Sequence, residues 1–148
     1  MGSLRTSILA LIALIWQACG QILDITDLGT ASQTTEWQTG LFPAAGAIDG
    51  DSATFSHTDA ITPNNAWQLT FENSHPISRV ELQMRCDCCG GRLSGTILRL
   101  FDEEGDSVFA EVVEDPGIGG TTVIEIPPGI DARTIRVGLE NGETNPGS

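Results

Sequence analysis

The chain has little positive charge and no lysine: seven arginines stand against twenty Asp and Glu, for a formal net charge of −13, and tyrosine is absent. A surface with that balance repels nucleic acid and anionic lipid, since binding either depends on neutralising phosphates with cationic side chains. It favours uncharged ligands over sulfated or sialylated ones, and it suits solubility in a saline extracellular medium. No Asn-x-Ser/Thr acceptor occurs, so N-glycosylation is not expected. After Trp16 there is no long apolar run, so no membrane span is expected. No nucleophile stands with a base in a recognisable arrangement, so the chain does not read as an enzyme. Long helical periodicity, internal repeats and low-complexity tracts are missing as well.

The N-terminus has the form of a secretory signal. Arg5 precedes the unbroken apolar stretch from Ile8 to Trp16, which is too short to cross a bilayer. Ala18 and Gly20 fit a small-residue cleavage rule, giving a signal over 1–20 and a secreted mature chain over 21–148. Cleavage is favoured over lipidation at Cys19, because Trp16 and Gln17 are poor residues before a lipidated cysteine. The mature chain would carry six arginines against twenty carboxylates, net −14. Its length suits one domain with one core.

Beyond Gln21, short apolar segments are separated by Gly, Pro, Asn and Asp. Trp67, Leu69 and Phe71 alternate, as do Val80, Leu82 and Met84, and Ile135, Val137 and Leu139. Leu98 and Leu100 lead into the turn Asp102–Asp106, with Val108 to Val113 returning. Period two with regular turn signals predicts an all-β antiparallel sandwich. Trp67 reads as core, and Gly117–Gly120 as a flexible loop.

Two loops stand out, both suited to one rim of a sandwich. One, Leu41 to Thr58, contains Ala47-Ile48-Asp49-Gly50-Asp51 and then His57. The other contains Arg85-Cys86-Asp87-Cys88-Cys89-Gly90-Gly91-Arg92. Arg85 and Arg92 carry rigid forks of N–H donors that stay charged at any relevant pH. A hydrogen bond from such a donor contributes about 1.5–3 kcal/mol. Asp87 is expected to hold both arginines by ion pairing; a surface salt-bridge network without a ligand is the plainer reading of the same residues. The Cα atoms of Cys88 and Cys89 are necessarily about 3.8 Å apart, closer than the ~4.4–6.8 Å of ordinary disulfides. A bridge between them is therefore strained, and reduced or otherwise paired cysteines are the alternative. Cys86 is left as a third thiol.

In order, these loops resemble the fucose-binding F-type lectin family, a branch of the discoidin-like, galactose-binding-like domains. The family's His, then Arg-x-Asp-x4-Arg/Lys with Cys-Cys after the Asp, corresponds to His57, Arg85-x-Asp87-x4-Arg92 and Cys88-Cys89. Gly29–Gln33 resembles its opening strand, Trp67-Gln68-Leu69 a later strand, and Ala47–Asp51 its calcium loop. The likeness runs from Leu23 to Leu139 and implies a jelly-roll sandwich. It further implies that His57, Arg85 and Arg92 contact the sugar and that a Cys88–Cys89 bridge packs on the edge of its ring. Trp37, in the first variable loop, would wall the pocket for the fucose methyl, with core burial as its competing role. Phe55 is a second candidate wall, for which core burial is favoured.

The resemblance also implies a Ca²⁺ cofactor held by Gly46, Asp49, Asp51 and Thr54. Family members continue into a final strand that completes the coordination. This sequence ends at Ser148 before any such strand, so the domain reads as C-terminally incomplete, with water or Glu143 as substitute ligands. Fucosylated or other neutral glycans are the expected partners, with avidity from a possible homo-oligomer. The alternative reading is a discoidin-like interaction module that keeps the scaffold without fucose. A thiol metal site of Cys86, Cys88, Cys89 and His57 is a third, disfavoured by secretion and by the lack of a second cysteine pair.

Overall fold

A computed structural model describes residues 23–59 and 62–140. The expected signal sequence and the chain end from 141, including Glu143, lie outside these residues.

Seven strands form: β1 (Gly29–Gln33), β2 (Ala66–Pro76), β3 (Arg79–Gln83), β4 (Ile97–Phe101), β5 (Ser107–Val112), β6 (Thr121–Glu125) and β7 (Asp131–Gly138). They follow the alternating segments of the sequence, because period-two apolar patterning puts one face of each strand in the core. Five of them build one antiparallel sheet in the order β1-β2-β7-β4-β5, and β3 pairs with β6 in a second. This is the antiparallel β-sandwich expected. Among the described residues, helix is confined to two short 3₁₀ turns, Thr26–Leu28 and Ala44–Ala47. No helix among the described residues is long and apolar enough to cross a membrane.

The core lies between the sheets. Leu69 and Phe71 of β2, Leu98 and Leu100 of β4 and Ile135 of β7 meet Val80 of β3 and Ile124 of β6. Full burial of one such side chain is worth about 1.5–3 kcal/mol. Trp67 is half-buried against this cluster, as its alternation with Leu69 requires. Its indole Nε1–H donates to the Ala44 carbonyl at 2.8 Å, pinning the turn that opens the Asp49 loop.

The middle of the large sheet is tightest where Ala66, Gly138 and Ile97 stand side by side on β2, β7 and β4. A Cβ on Gly138 would lie 2.4 Å from the Ala66 Cβ and 2.7 Å from the Asn65 carbonyl oxygen. Both obstacles belong to strand backbone or to a methyl fixed on it. Gly138→Ala should therefore lower stability by about 1–3 kcal/mol, the cost of overpacking a fitted site. In urea, the midpoint should fall with the slope unchanged; an unaltered midpoint would show that the strands part without cost.

Candidate functional site

Both loops rise from the same end of the sandwich, where β1 and β3 finish and β2 and β4 start. The first is held by Asn65, almost fully buried. Its side-chain oxygen accepts from the Thr34 and Thr35 hydroxyls at 2.9 and 2.8 Å, and its amide nitrogen donates to the Asp59 carbonyl at 2.6 Å. Glu36 adds a local clasp, accepting from the amides of Gly40 and Phe42. Within this frame the Trp37 amide donates to the His57 carbonyl at 2.9 Å, and the His57 amide to the Phe42 carbonyl at 3.4 Å. The rings follow: Trp37 lies 5.0 Å from His57 and 5.3 Å from Phe42, and Phe42 lies 4.9 Å from Phe55.

The second loop is fixed from behind. The Met84 amide donates to Gly120 and the Gly119 amide to Arg85, so the glycine segment 117–120 is a brace for the cysteine loop. Ile118 sits on Gly90, where an added Cβ would approach it to 3.2 Å. Asp115 accepts from the Leu93 amide at 2.9 Å and the Gly117 amide at 2.7 Å. Burial alone would raise the Asp115 pKa, but the amides of Gly117, Leu93, Gly91 and Ser94 outweigh it and keep the carboxylate below its usual range. One carboxylate thereby ties down the backbone around Arg92.

These two frames bring His57 and Arg92 into contact: Nη1 of Arg92 lies 2.9 Å from Nε2 of His57. Since the guanidinium can only donate, Nε2 is the acceptor, and the imidazole is neutral with its proton on Nδ1 facing the Thr58 carbonyl. The His57 pKa is lowered, first by burial and then by the positive charges of Arg92 and Arg85, against an opposing pull from the Thr58 carbonyl. Both guanidiniums thus act on the same imidazole.

Arg85 is held differently. Its Nε and Nη2 donate to the two carboxylate oxygens of Asp87, each at 2.6 Å, and its Cζ stands 3.9 Å from the Phe55 ring centroid. The fork draws the exposed Asp87 carboxyl down to about 2. The expectation that Asp87 would hold both arginines needs correction. Arg85 occupies both of its oxygens, and Arg92 takes its orientation from His57 instead.

Cys88 and Cys89 are bridged, and Cys89 adopts a left-handed backbone, φ 68°. Cys86 is a free, exposed thiol. With two of the three sulfurs joined to each other, the thiol metal site loses its ligands. No group of three or more His, Cys, Asp or Glu among the described residues is placed to hold a metal. Trp37 is 41% exposed beside His57, so it is not core. Phe55 is half-buried and lies beneath Arg85.

In the Asp49 loop, four acceptor oxygens crowd one hydroxyl. Thr54 Oγ1 lies 2.7 and 2.6 Å from the two Asp49 carboxylate oxygens, 2.9 Å from the Asp51 carbonyl and 3.4 Å from the Gly46 carbonyl. One hydroxyl proton cannot serve four acceptors. The set is oxygen-only and suits a hard cation. Asp51 meets the Thr54 hydroxyl with its backbone carbonyl, while its carboxylate accepts from the Ala53 amide. This loop and Arg85 line a concavity of about 210 Å³. Asp115, Asn65, Glu36 and Phe42 did not stand out in the sequence. A turn of the form Asp-Pro-Gly at 115–117 was the one available signal for any of them.

The profile of the NedA-like, galactose-binding domain matches residues 46–137, which include His57, Arg85, Asp87, the Cys88–Cys89 pair and Arg92 but neither Trp37 nor Phe42. No curated protein matches the chain. Among solved structures, the chain resembles the f-lectin (fucolectin) from Morone saxatilis (striped bass) serum, with 22% identity and a TM-score of 0.71. That match covers 85% of this chain and 45% of the fucolectin, so the chain spans about half of that protein. The lectin domain of lectinolysin, complexed with Lewis B antigen, matches with 21% identity and a TM-score of 0.68, covering 85% of this chain and 90% of the other. The family 32 CBM from C. perfringens NanJ, in complex with galactose, has 20% identity and a TM-score of 0.62, covering 79% and 85%. At these identities the likeness speaks for the fold.

The neutral imidazole sets a pH dependence. With a folded-state pKa below the ordinary 6.5, the unfolded chain takes up this proton at higher pH than the folded chain does. The contribution of His57 to stability is therefore present above pH ~6.5 and is lost as pH falls below it. An NMR titration of the His57 ring should give a midpoint below the ordinary value, and Arg92→Ala should move that midpoint upward by removing the nearest positive charge. A midpoint above 6.5 in the parent protein would contradict the donor assignment.

Proposed function

Because the chain belongs to the NedA-like, galactose-binding domain family, we propose that it is a secreted lectin whose site takes a terminal neutral sugar, with L-fucose as the favoured ligand. The observation that carries this reading is the His57–Arg92 contact. In a chain so rich in carboxylates, Arg92 is oriented by an uncharged acceptor. Its remaining N–H groups carry no hydrogen bond among the described residues, so they are available to hydroxyl and ring oxygens. Arg85 keeps Nη1 for the same purpose while Asp87 and Phe55 fix its plane. The Cys88–Cys89 bridge and the exposed Trp37 supply flat apolar walls, which suit the C–H face of a sugar and a deoxyhexose methyl. The excess of negative charge disfavours sialylated or sulfated ends. His57, Arg85, Arg92, Trp37 and the disulfide are the residues to which we assign contact with sugar.

The work of these residues is binding and orientation. Neutral His57 keeps Arg92 in place without neutralising it, so the ligand meets a full positive charge with fixed N–H directions. A shallow site of this kind should bind a monosaccharide with about −4 to −7 kcal/mol, in the millimolar to 10 µM range. Function on a cell surface then calls for several sites acting together, from copies of the chain or repeated modules. The Asp49 carboxylate, Thr54 hydroxyl and the Gly46 and Asp51 carbonyls are assigned to Ca²⁺. The ion would neutralise the crowded oxygens and stiffen the loop that carries Phe55 towards Arg85.

Two experiments test this. Retention on immobilised L-fucose should fall on the order of tenfold to a hundredfold in Arg92→Ala, the loss of about 1.5–3 kcal/mol expected for a bond from a charged donor. Val123→Ser, on an exposed face, should bind like the parent. A glycan array with no fucose signal, on protein whose Cys88–Cys89 bridge is intact, would favour the interaction-module reading. For the cation, added Ca²⁺ should raise the melting temperature by about 3–8 °C at saturating excess, with reversal by EDTA and loss in Asp49→Ala. An identical melting curve with and without Ca²⁺ would remove the ion from the account.

A further inference from the structure

We infer that the outward face of the five-stranded sheet, at the end away from the loops, is a second carbohydrate-binding surface for a neutral oligosaccharide. A concavity of about 370 Å³ lies there, lined by Gln68, Thr70, Phe101, Arg133, Thr134, Arg136 and the turn Asp102–Gly105. The strand register explains the lining. Leu69, Leu98, Leu100 and Ile135 face the core, so their neighbours Gln68, Thr70, Arg99, Phe101, Thr134 and Arg136 face outward. Gln68 stands opposite Arg136, and Arg136 opposite Arg99. Two guanidiniums in facing positions are unfavourable unless something offsets the repulsion. Glu140 does so for Arg99, which donates to it from Nε and Nη2. Arg136 donates no hydrogen bond among the described residues and lies close enough to Glu140 to lower its pKa. Arg133 has one weak bond, from Nε to the Phe71 carbonyl at 3.4 Å, where the β2–β7 register shifts.

The chemistry selects the ligand class. Guanidiniums, the Gln68 amide and the Thr70 and Thr134 hydroxyls supply donors. Glu103 and Glu104, exposed at the rim, supply acceptors, whereas Asp102 is engaged by the Asp106 amide of its own turn. Phe101, half-buried on β4, is the aromatic residue of the lining. Positive and negative groups nearly balance, so neither a polyanion nor a polycation is matched; paired donors and acceptors around an aromatic ring match a chain of hydroxyls. The surface is separate from the loop site. Arg92 precedes β4 and the Asp102 turn follows it, and five strand residues span about 17 Å. One chain would therefore hold two glycan contacts, and it could bridge ligands without a second copy.

The test uses the full chain carrying Arg85→Ala and Arg92→Ala, so that the loop site is silent. Backbone amides are followed by NMR while cellohexaose, mannohexaose, lacto-N-tetraose and, separately, a heparin-derived hexasaccharide are each added to about 10 mM, enough to reveal millimolar binding. We expect saturable shifts at Gln68, Thr70, Gly105, Thr134 and Arg136 with at least one neutral sugar. These should weaken at least tenfold on adding Gln68→Ala and Arg136→Ala. In a chain with its loops intact, those same two changes should leave retention on L-fucose as it was. No shift with any neutral sugar, shifts confined to the loops, or shifts with the sulfated hexasaccharide alone would each overturn the inference. Because the fucose column reports only on the loop site, failure of one site is readable independently of the other.

Discussion

The arrangement of the loop site depends on one constraint: His57 must be neutral to accept a hydrogen bond from Arg92. A carboxylate in its place would bind the guanidinium more strongly and cancel the charge that a ligand would feel. An imidazole fixes direction without cancelling charge. Burial and two nearby arginines keep the ring unprotonated. The aromatic stack of Trp37, Phe42 and Phe55 supplies that burial. The same stack gives Arg85 a ring to lie on, so one apolar cluster positions both cations by different means. For Arg85 it provides a surface, and for Arg92 it sets the protonation state of the partner.

Much of this was readable from the sequence, and what escaped has a physical pattern. Trp67/Leu69/Phe71 and Ile135/Val137 gave away their strands because alternation is a local property. The Arg85–Asp87 pair was readable because the two residues are only two positions apart, so their side chains can meet within one loop. Which partner holds Arg92 was not, because His57 is 35 positions away and the fold alone joins them. Asp115 and Asn65 escaped for a related reason. Each works through backbone amides, carbonyls and hydroxyls of other loops, and a backbone amide has the same identity in every sequence. Gly117–Gly120 read as flexible from composition, yet two amide–carbonyl bonds and the Ile118–Gly90 contact give it a supporting role.

Acidity in this chain is distributed rather than uniform in effect. Several carboxylates shape cationic side chains or the backbone beside them: Asp87 for Arg85, Glu81 for Arg79, Glu140 for Arg99, Asp115 around Arg92, and Glu36, Asp49 and Asp102 within their own loops. Exposed ones such as Glu103 and Glu104 set the character of the surface, and salt screens their mutual repulsion. An arginine in such a field is rare and, once fixed, is the natural point of contact for an electron-rich but uncharged group. Full anions would have to approach through the repulsion of the whole molecule, whereas a hydroxyl does not. The selectivity we assign to both surfaces therefore comes from the contrast between a few oriented donors and the field around them, and it should weaken for charged competitors as salt is raised, since screening removes the repulsion before it removes the hydrogen bonds.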